Sequence, residues 1–343
     1  MSYPFFTGKR VSPAKDGYSW LPASDRAREC LPEHYDTEEG LVYAVNVALL
    51  MGQPLLVTGE PGTGKTQLAY RIAWELGFDP PLKFETKSES MARDLFYHFD
   101  TLTRFHAAQT ESVFRKSTDF ITYNALGTAI IRSHGPDDFE QKHLLPDDFD
   151  FGSCPRSVVL IDEIDKAPRD FPNDILNELE WLYFRVPEMG NAMIKAAPGM
   201  EPVVVITSNS EKDLPDAFLR RCAYYHIKFP EPDRLKRIVE GRLGDLATGH
   251  QAVVDDALAM FEQLRHSSVG LLKKPATAEL LAWVTMLVRT KTTGNPFTDD
   301  RDTIRNSLGI LIKSQEDLKA ATQVVEKWFQ KQTGSPSNGS PNN

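Results

Sequence analysis

The sequence predicts an α/β protein, a parallel sheet sandwiched by helices and followed by an all-helical region. Three observations carry this. Short apolar runs recur at PLLVTG (54–59), SVVLID (157–162) and PVVVITSN (202–209), each bounded by polar or turn-forming residues. The intervals between them are wide enough for helical crossovers, and continuous apolar strands buried on both faces belong to parallel sheets. After Pro230 such runs stop, and helical periodicity takes over at 233–242, 254–266, 277–290, 301–313 and 315–331.

In chain order, residues 1–35 form an aromatic-rich, aperiodic arm with Tyr3, Pro4, Phe5, Phe6, Tyr18 and Trp20. The α/β core spans 36–230. It opens with EEGLVYAVNVALLMG, where Leu41, Ala44, Val45 and 47–50 mark one apolar face and Gly52 supplies the stop, so a buried helix is expected. A helix over 67–76 closed by Gly77 follows the first strand. Residues 88–115 read as a helical insertion carrying Leu95, Phe96, Phe99, Leu102 and Phe105, most of them expected in the core. Residues 132–150 are acidic and read as an exposed loop; His134 and His143 there lack metal spacing with any Cys. Residues 182–201 read as a hairpin around Glu188, Met189, Gly190 and Asn191. The helical domain spans 231–332, with Ser314 and Asp317 as a start signal for its last helix. The tail 333–343 is Gly, Ser, Pro and Asn-rich, a composition expected to stay disordered.

Composition narrows the function. The 343 residues carry 39 basic against 48 acidic side chains, a net charge of -9. That is the opposite of the basic footprint selected by phosphate backbones, and it disfavours nucleic acid without excluding it. No stretch approaches the ~18 apolar residues of a bilayer span, and MSYPFFTGKR lacks an apolar signal-peptide region. Cys30, Cys154 and Cys222 are odd in number and widely spaced. They form neither a disulfide framework nor a CxxC pair, so a cytoplasmic protein is expected.

The chemistry-bearing motif is Gly59-Glu60-Pro61-Gly62-Thr63-Gly64-Lys65-Thr66, a complete G-x-x-x-x-G-K-[ST] with Gln67 next, directly after a strand and before a helix. Its glycines let successive N–H groups turn inward on the β- and γ-phosphates of a nucleotide, and the helix N-terminus adds partial positive charge. Lys65 neutralises phosphate, and the Thr66 hydroxyl is placed for Mg2+. The second strand ends in Asp162 and Glu163. Beside a phosphate loop, Asp162 would hold Mg2+ and Glu163 would act as general base on water; the plain alternative is a strand running into a helix cap, where acids are common. Asn209, at the end of the third strand, could orient the water, touch the γ-phosphate, or merely form a turn. Arg220 and Arg221 in LPDAFLRRC read on their own as a solvated face.

Taken together, this order of motifs resembles the AAA+ ATPases, and GLVYAVNVALLMGQPLLVTGEPGTGKT, DEIDKAPRDFPNDILNELE, FRVPEMG and LPDAFLRRC resemble their MoxR branch, over about residues 38–325. The resemblance implies a P-loop NTPase core with a helical lid, a homo-oligomeric ring that is commonly a hexamer, and ATP bound between subunits. It implies Asn209 as sensor one and Arg221 as an arginine finger. Sensor two falls on Lys274, with Lys273 beside it, where the family generally has Arg; a lysine offers a point charge rather than a planar fork. The expected partner is a protein client, by that resemblance one with a von Willebrand factor A domain. Two rivals remain, a nucleic-acid motor of restriction or clamp-loader type and a slow nucleotide-gated switch. A small-molecule kinase is disfavoured, and a signalling GTPase lacks its N-K-x-D base reader.

Overall fold

The computed structural model describes residues 31–110, 116–210, 214–290 and 294–333. The arm's aromatic residues and residues 334–343 lie outside the described residues. The chain divides into two bodies, one spanning residues 37–229 and one made mainly of the residues from 230 onward.

The strands of the first body are β1 (Leu55–Gly59), β2 (Leu82–Glu85), β3 (Tyr97–Phe99), β4 (Ile121–Tyr123), β5 (Val158–Asp162), β6 (Tyr183–Val186), β7 (Ala192–Lys195), β8 (Val203–Ser208) and β9 (Ala223–Ile227). Its helices are α1 (Glu39–Met51), α2 (Lys65–Leu76), α3 (Thr101–Thr110), α4 (Ala125–Arg132), α5 (Gly135–Asp138), α6 (Phe171–Asp174), α7 (Leu176–Trp181) and α8 (Asp216–Leu219). The main sheet runs β2-β5-β8-β1-β9, parallel throughout. Because side chains alternate across a strand, Leu56, Val159, Ile161, Val204 and Ile206 face the core shared with α4. Their neighbours Leu55, Val57, Leu160 and Val205 are equally buried on the other face, where α2 packs.

The three apolar runs are the three inner strands. The outer strands β2 and β9 escape an apolar-run search because they are edges: Lys83 and Glu85, like Tyr224 and His226, turn outward between buried or half-buried neighbours. Helix α2 starts at Lys65, two residues earlier than expected, and ends on Gly77 in the left-handed conformation.

Three expectations for the first body are corrected. Helix α1 is not buried all along its apolar face. Leu41 and Ala48 are buried, with Ala44 and Val45 half-buried beside them, a stripe at helical spacing that faces β9. Val47 and Leu50 of the expected face lie on the opposite stripe with Tyr43, and all three are exposed.

The 88–115 segment is not a helical insertion throughout. Residues 92–95 make a 3-10 turn, and β3 then pairs antiparallel with β4 before α3 begins. Leu95, Phe96 and Phe99 are in the core, whereas Leu102 and Phe105 on α3 are exposed. The 132–150 segment is not a free loop either. Its Phe139, Leu144 and Leu145 are buried in the main core, while its acids point outward together with Pro136, Lys142 and His143.

The hairpin at 182–201 is present as β6 and β7, turning through Gly190 and Asn191. It is pinned to the β3–β4 ribbon: Phe184 stacks on Phe96 and meets Tyr97 and Tyr123. The Tyr97 hydroxyl donates to Glu188 at 2.9 Å, and Arg93 pairs with the same carboxylate at 3.2 Å.

The second body is helical among its described residues: α9 (Pro232–Leu243), α10 (Gln251–Arg265), α11 (Thr277–Thr290), α12 (Pro296–Asp299), α13 (Arg301–Ser307) and α14 (Gln315–Thr333). The stretch expected as one helix over 301–313 is broken, with α13 stopping at Ser307 and a 3-10 turn following. Trp283, fully buried, packs edge-on against Phe297 and donates to the Ser307 hydroxyl at 2.8 Å. The amide of Asp317 donates to the Ser314 hydroxyl, as the start signal predicts. No helix among the described residues is long and apolar enough to cross a membrane.

Candidate functional site

In a parallel sheet every strand delivers its carboxyl end to the same edge, and the side chains that follow β1, β5 and β8 meet there. The loop after β1 curls because its glycines adopt conformations closed to other residues: φ is 152° at Gly59, 78° at Gly62 and 89° at Gly64. A Cβ on Gly59 would stand 2.5 Å from the Ile227 carbonyl, so the backbone of β9 also demands glycine there. Gly64 caps α2 without a side chain of its own, which leaves the first turn of a 12-residue helix to be satisfied from outside. Glu60, Pro61 and Gly62 are exposed along the loop, Thr63 is buried with its hydroxyl donating to the Glu60 carbonyl at 2.9 Å, and Gln67 is half-buried in the first turn.

Lys65 is only 7% exposed, and its ammonium donates to the carbonyls of Gly59 at 2.8 Å and Glu60 at 3.0 Å and to Oδ1 of Asn209 at 3.0 Å. Burial pulls its pKa below the ordinary lysine value, while Asp165, Asp162 and Glu163 oppose that pull. Asp162, 6% exposed, is fixed on both oxygens. Oδ1 accepts from the Thr66 hydroxyl at 2.9 Å and the Thr207 hydroxyl at 2.7 Å, and Oδ2 pairs with Lys83 at 3.0 Å. Thr207 also accepts the Glu163 amide at 2.9 Å, and the Thr86 hydroxyl reaches the carbonyls of Asp162 at 3.1 Å and of Glu163.

Glu163 occupies the left-handed region, φ 57° and ψ 51°. Its carboxylate, 41% exposed, is engaged by Lys166, which that contact holds protonated above its ordinary range. Asn209 is oriented by Asp165, whose carboxylate accepts from its amide N–H at 3.1 Å and its side-chain Nδ2 at 3.3 Å.

The structure thus brings together Lys65, Thr66, Asp162, Glu163 and Asn209 from three strand ends. Arg221 does not join them. It follows α8, where it pairs with Glu180 at 2.9 Å and donates to the Ala217 carbonyl at 3.0 Å. Lys273 and Lys274 belong to the second body, where both are exposed on a loop whose Leu272 and Lys273 amides are held by the Asp317 carboxylate at 2.8 and 3.1 Å. That loop holds the Asp317 carboxyl below its ordinary pKa, chiefly through the Leu272 amide.

Sequence reasoning missed Lys83, Thr86, Asp165 and Lys166. For Lys166 a signal existed, since a lysine three residues after Glu163 on a helical turn returns to the same face. Lys83 keeps its proton above the ordinary lysine range because, although burial opposes the charge, hydrogen bonds to Glu85 at 2.6 Å and Asp162 outweigh it.

Residues 54–222, which contain every one of these strand ends, match the family model for the AAA domain (dynein-related subfamily). This core is an AAA+ ATPase domain. Among solved structures, the chain is similar to the Thermotoga maritima RuvB Holliday junction branch migration motor at 17% identity and a TM-score of 0.39, the match covering 88% of this chain and 71% of that one. A single-substitution variant of the same motor matches over the same shares at 17% identity and a TM-score of 0.40. No curated protein matches. The AAA+ site fits Mg2+ with nucleotide by its donor chemistry: the Thr66 hydroxyl and the Asp162 carboxylate are hard oxygen donors already in contact, beside a loop shaped for phosphate.

Proposed function

We propose that the chain is an ATP-hydrolysing AAA+ engine of MoxR type that assembles into a ring, commonly a hexamer in that branch, and couples ATP turnover to remodelling or maturation of a protein partner. The observation that carries the hydrolytic part is the convergence of Lys65, Asp162 and Asn209 at one edge of the sheet. The three oxygens now around the Lys65 ammonium are the contacts that phosphate oxygens would replace, so binding exchanges one set of charge-assisted hydrogen bonds for another. Thr66 and Asp162 would hold Mg2+, which offsets charge on the transferring phosphoryl group. Glu163 takes the proton of the attacking water, after leaving Lys166, and Asn209 orients that water.

Arg221 serves a neighbouring subunit in this reading. It precedes β9, whose Ala223 lies beside Leu55 at the start of β1, whereas the phosphate loop leaves the other end, where Gly59 lies beside Ile227. Four residues of strand separate the two ends by about 13 Å, so the finger acts in trans. Lys274, with Lys273 beside it, would sense the γ-phosphate from the helical lid. The protein client and the von Willebrand factor A partner rest on the motif resemblance, and the cytoplasmic setting on the odd, widely spaced cysteines.

Paired variants test the reading. Lys65→Ala should lose ATP binding, because it removes ground-state neutralisation of phosphate. Glu163→Gln should bind ATP and hydrolyse it ~10²-fold or more slowly. Fluorescent-nucleotide titration and phosphate release measure the two quantities, and undiminished turnover by Glu163→Gln would overturn the assignment.

A further inference from the structure

The AAA+ site contains a cation that phosphate binding does not require. Lys83 lies on β2, one strand outward from Asp162, with Lys83 beside Leu160 and Glu85 directly beside Asp162. Glu85 and Asp162 thus place two carboxylates side by side on neighbouring strands, and the Lys83 ammonium bridges them, 2.6 Å from one and 3.0 Å from the other. Asp162 does not need Lys83 to hold its pose, because Thr66 and Thr207 already fix its Oδ1. What Lys83 changes is the charge. It neutralises part of a carboxylate that a divalent ion would use, and Glu85 in turn neutralises part of Lys83.

We propose that Lys83 and Glu85 form a charge balance behind Asp162 that sets the Mg2+ concentration at which nucleotide is held. Both are positioning residues that act through Asp162, and the inference rests on the Mg2+–ATP reading of the site. Lys83 is 30% exposed and Glu85 is 68% exposed. The pair therefore communicates with solvent, and Asp162, although buried, keeps its hydrogen bonds from Thr66 and Thr207 when the lysine charge is removed. Removing the lysine leaves two uncompensated carboxylates and draws the ion in; removing the glutamate gives Asp162 the whole lysine charge and weakens it.

The test is a Mg2+ titration of fluorescent ATP-analogue binding by the full chain, with Glu163→Gln in every protein so that nothing turns over. Lys83→Met should lower the half-saturating Mg2+ roughly fivefold or more, the scale of a unit charge a few ångströms from a divalent ion. Glu85→Gln should raise it, and the double variant should return close to the parent. Lys83→Arg keeps the charge and should stay within about twofold, which covers the case where Lys83→Met fails to fold. A scaffold role would lower the melting temperature without ordering the midpoints in this way. Equal midpoints across the set, with the parent binding in a Mg2+-dependent manner, overturn the charge balance alone. A parent that binds no nucleotide overturns the proposed function and this inference together.

Discussion

Asp165→Asn is the most discriminating single change, because it alters one oxygen behind the site and nothing that would touch substrate. Asp165 accepts on both oxygens: Oδ1 from the Asn209 amide at 3.1 Å and the Ser208 hydroxyl at 3.2 Å, Oδ2 from the Asn209 side chain at 3.3 Å. An asparagine has one acceptor. It can serve the backbone side or the side-chain side, and its own NH2 then faces a donor. One hydrogen bond to a charged group is lost, about 1.5–3 kcal/mol. The Asn209 amide is then free to turn its NH2 toward the Lys65 ammonium, which now meets Oδ1. If that energy is expressed in the transition state, turnover falls roughly tenfold to a hundredfold. Asp165 also supports the charge of Lys65, so ATP affinity should weaken, by less than turnover does. Phosphate release and nucleotide titration separate the two effects. The double variant with Asn209→Ala supplies the decisive comparison: if Asp165 acts through Asn209, it should be no slower than Asn209→Ala alone. Multiplicative losses, or full turnover in Asp165→Asn, would refute the reasoning.

Arg221→Ala should keep ATP affinity and lose turnover by ~10³-fold. Mixing it with Lys65→Ala should restore partial activity, since some interfaces then carry an intact loop opposite an intact finger; a dead mixture whose labelled subunits demonstrably exchange counts against action in trans. Phe184→Ala should destabilise the α/β body by about 3–5 kcal/mol, the range for emptying a buried phenyl site, because its ring is 2% exposed and meets Phe96, Tyr97 and Tyr123. Urea unfolding followed by circular dichroism measures it, and a loss below about 1 kcal/mol would mean that the hairpin and the ribbon are not packed as described.

The parts of this AAA+ core legible in the sequence are those where one residue type answers one local demand. Gly59, Gly62 and Gly64 are glycines because the backbone turns through positive φ, and β1, β5 and β8 are unbroken apolar runs because both faces are covered. The outer strands were illegible for the converse reason. With one face open, β2 reads as LKFE, a pattern that also suits a loop or a short helix. Between 132 and 150 the acids outnumber the apolar residues that matter, so composition points to solvent while Phe139, Leu144 and Leu145 sit in the core. Asp165 and Lys83 escaped because their meaning lies in partners on other strands, Asn209 and Asp162, which only the sheet order brings within reach.

The left-handed backbone at Glu163 has a consequence for how two adjacent acids divide their duties. A residue with a Cβ costs roughly 1–2 kcal/mol in that conformation, where glycine or asparagine would sit more easily. Had the chain continued as a strand, successive side chains would simply have alternated between the two covered faces of the sheet. The reversal instead swings the second carboxylate out of the sheet and into the open edge, while the first remains locked among hydroxyls. One acid is thereby dry and fixed on both oxygens, fit to hold a position; its neighbour is 41% exposed, with Lys166 as its partner at the surface. Local discomfort in the chain is what lets consecutive residues live in different solvents.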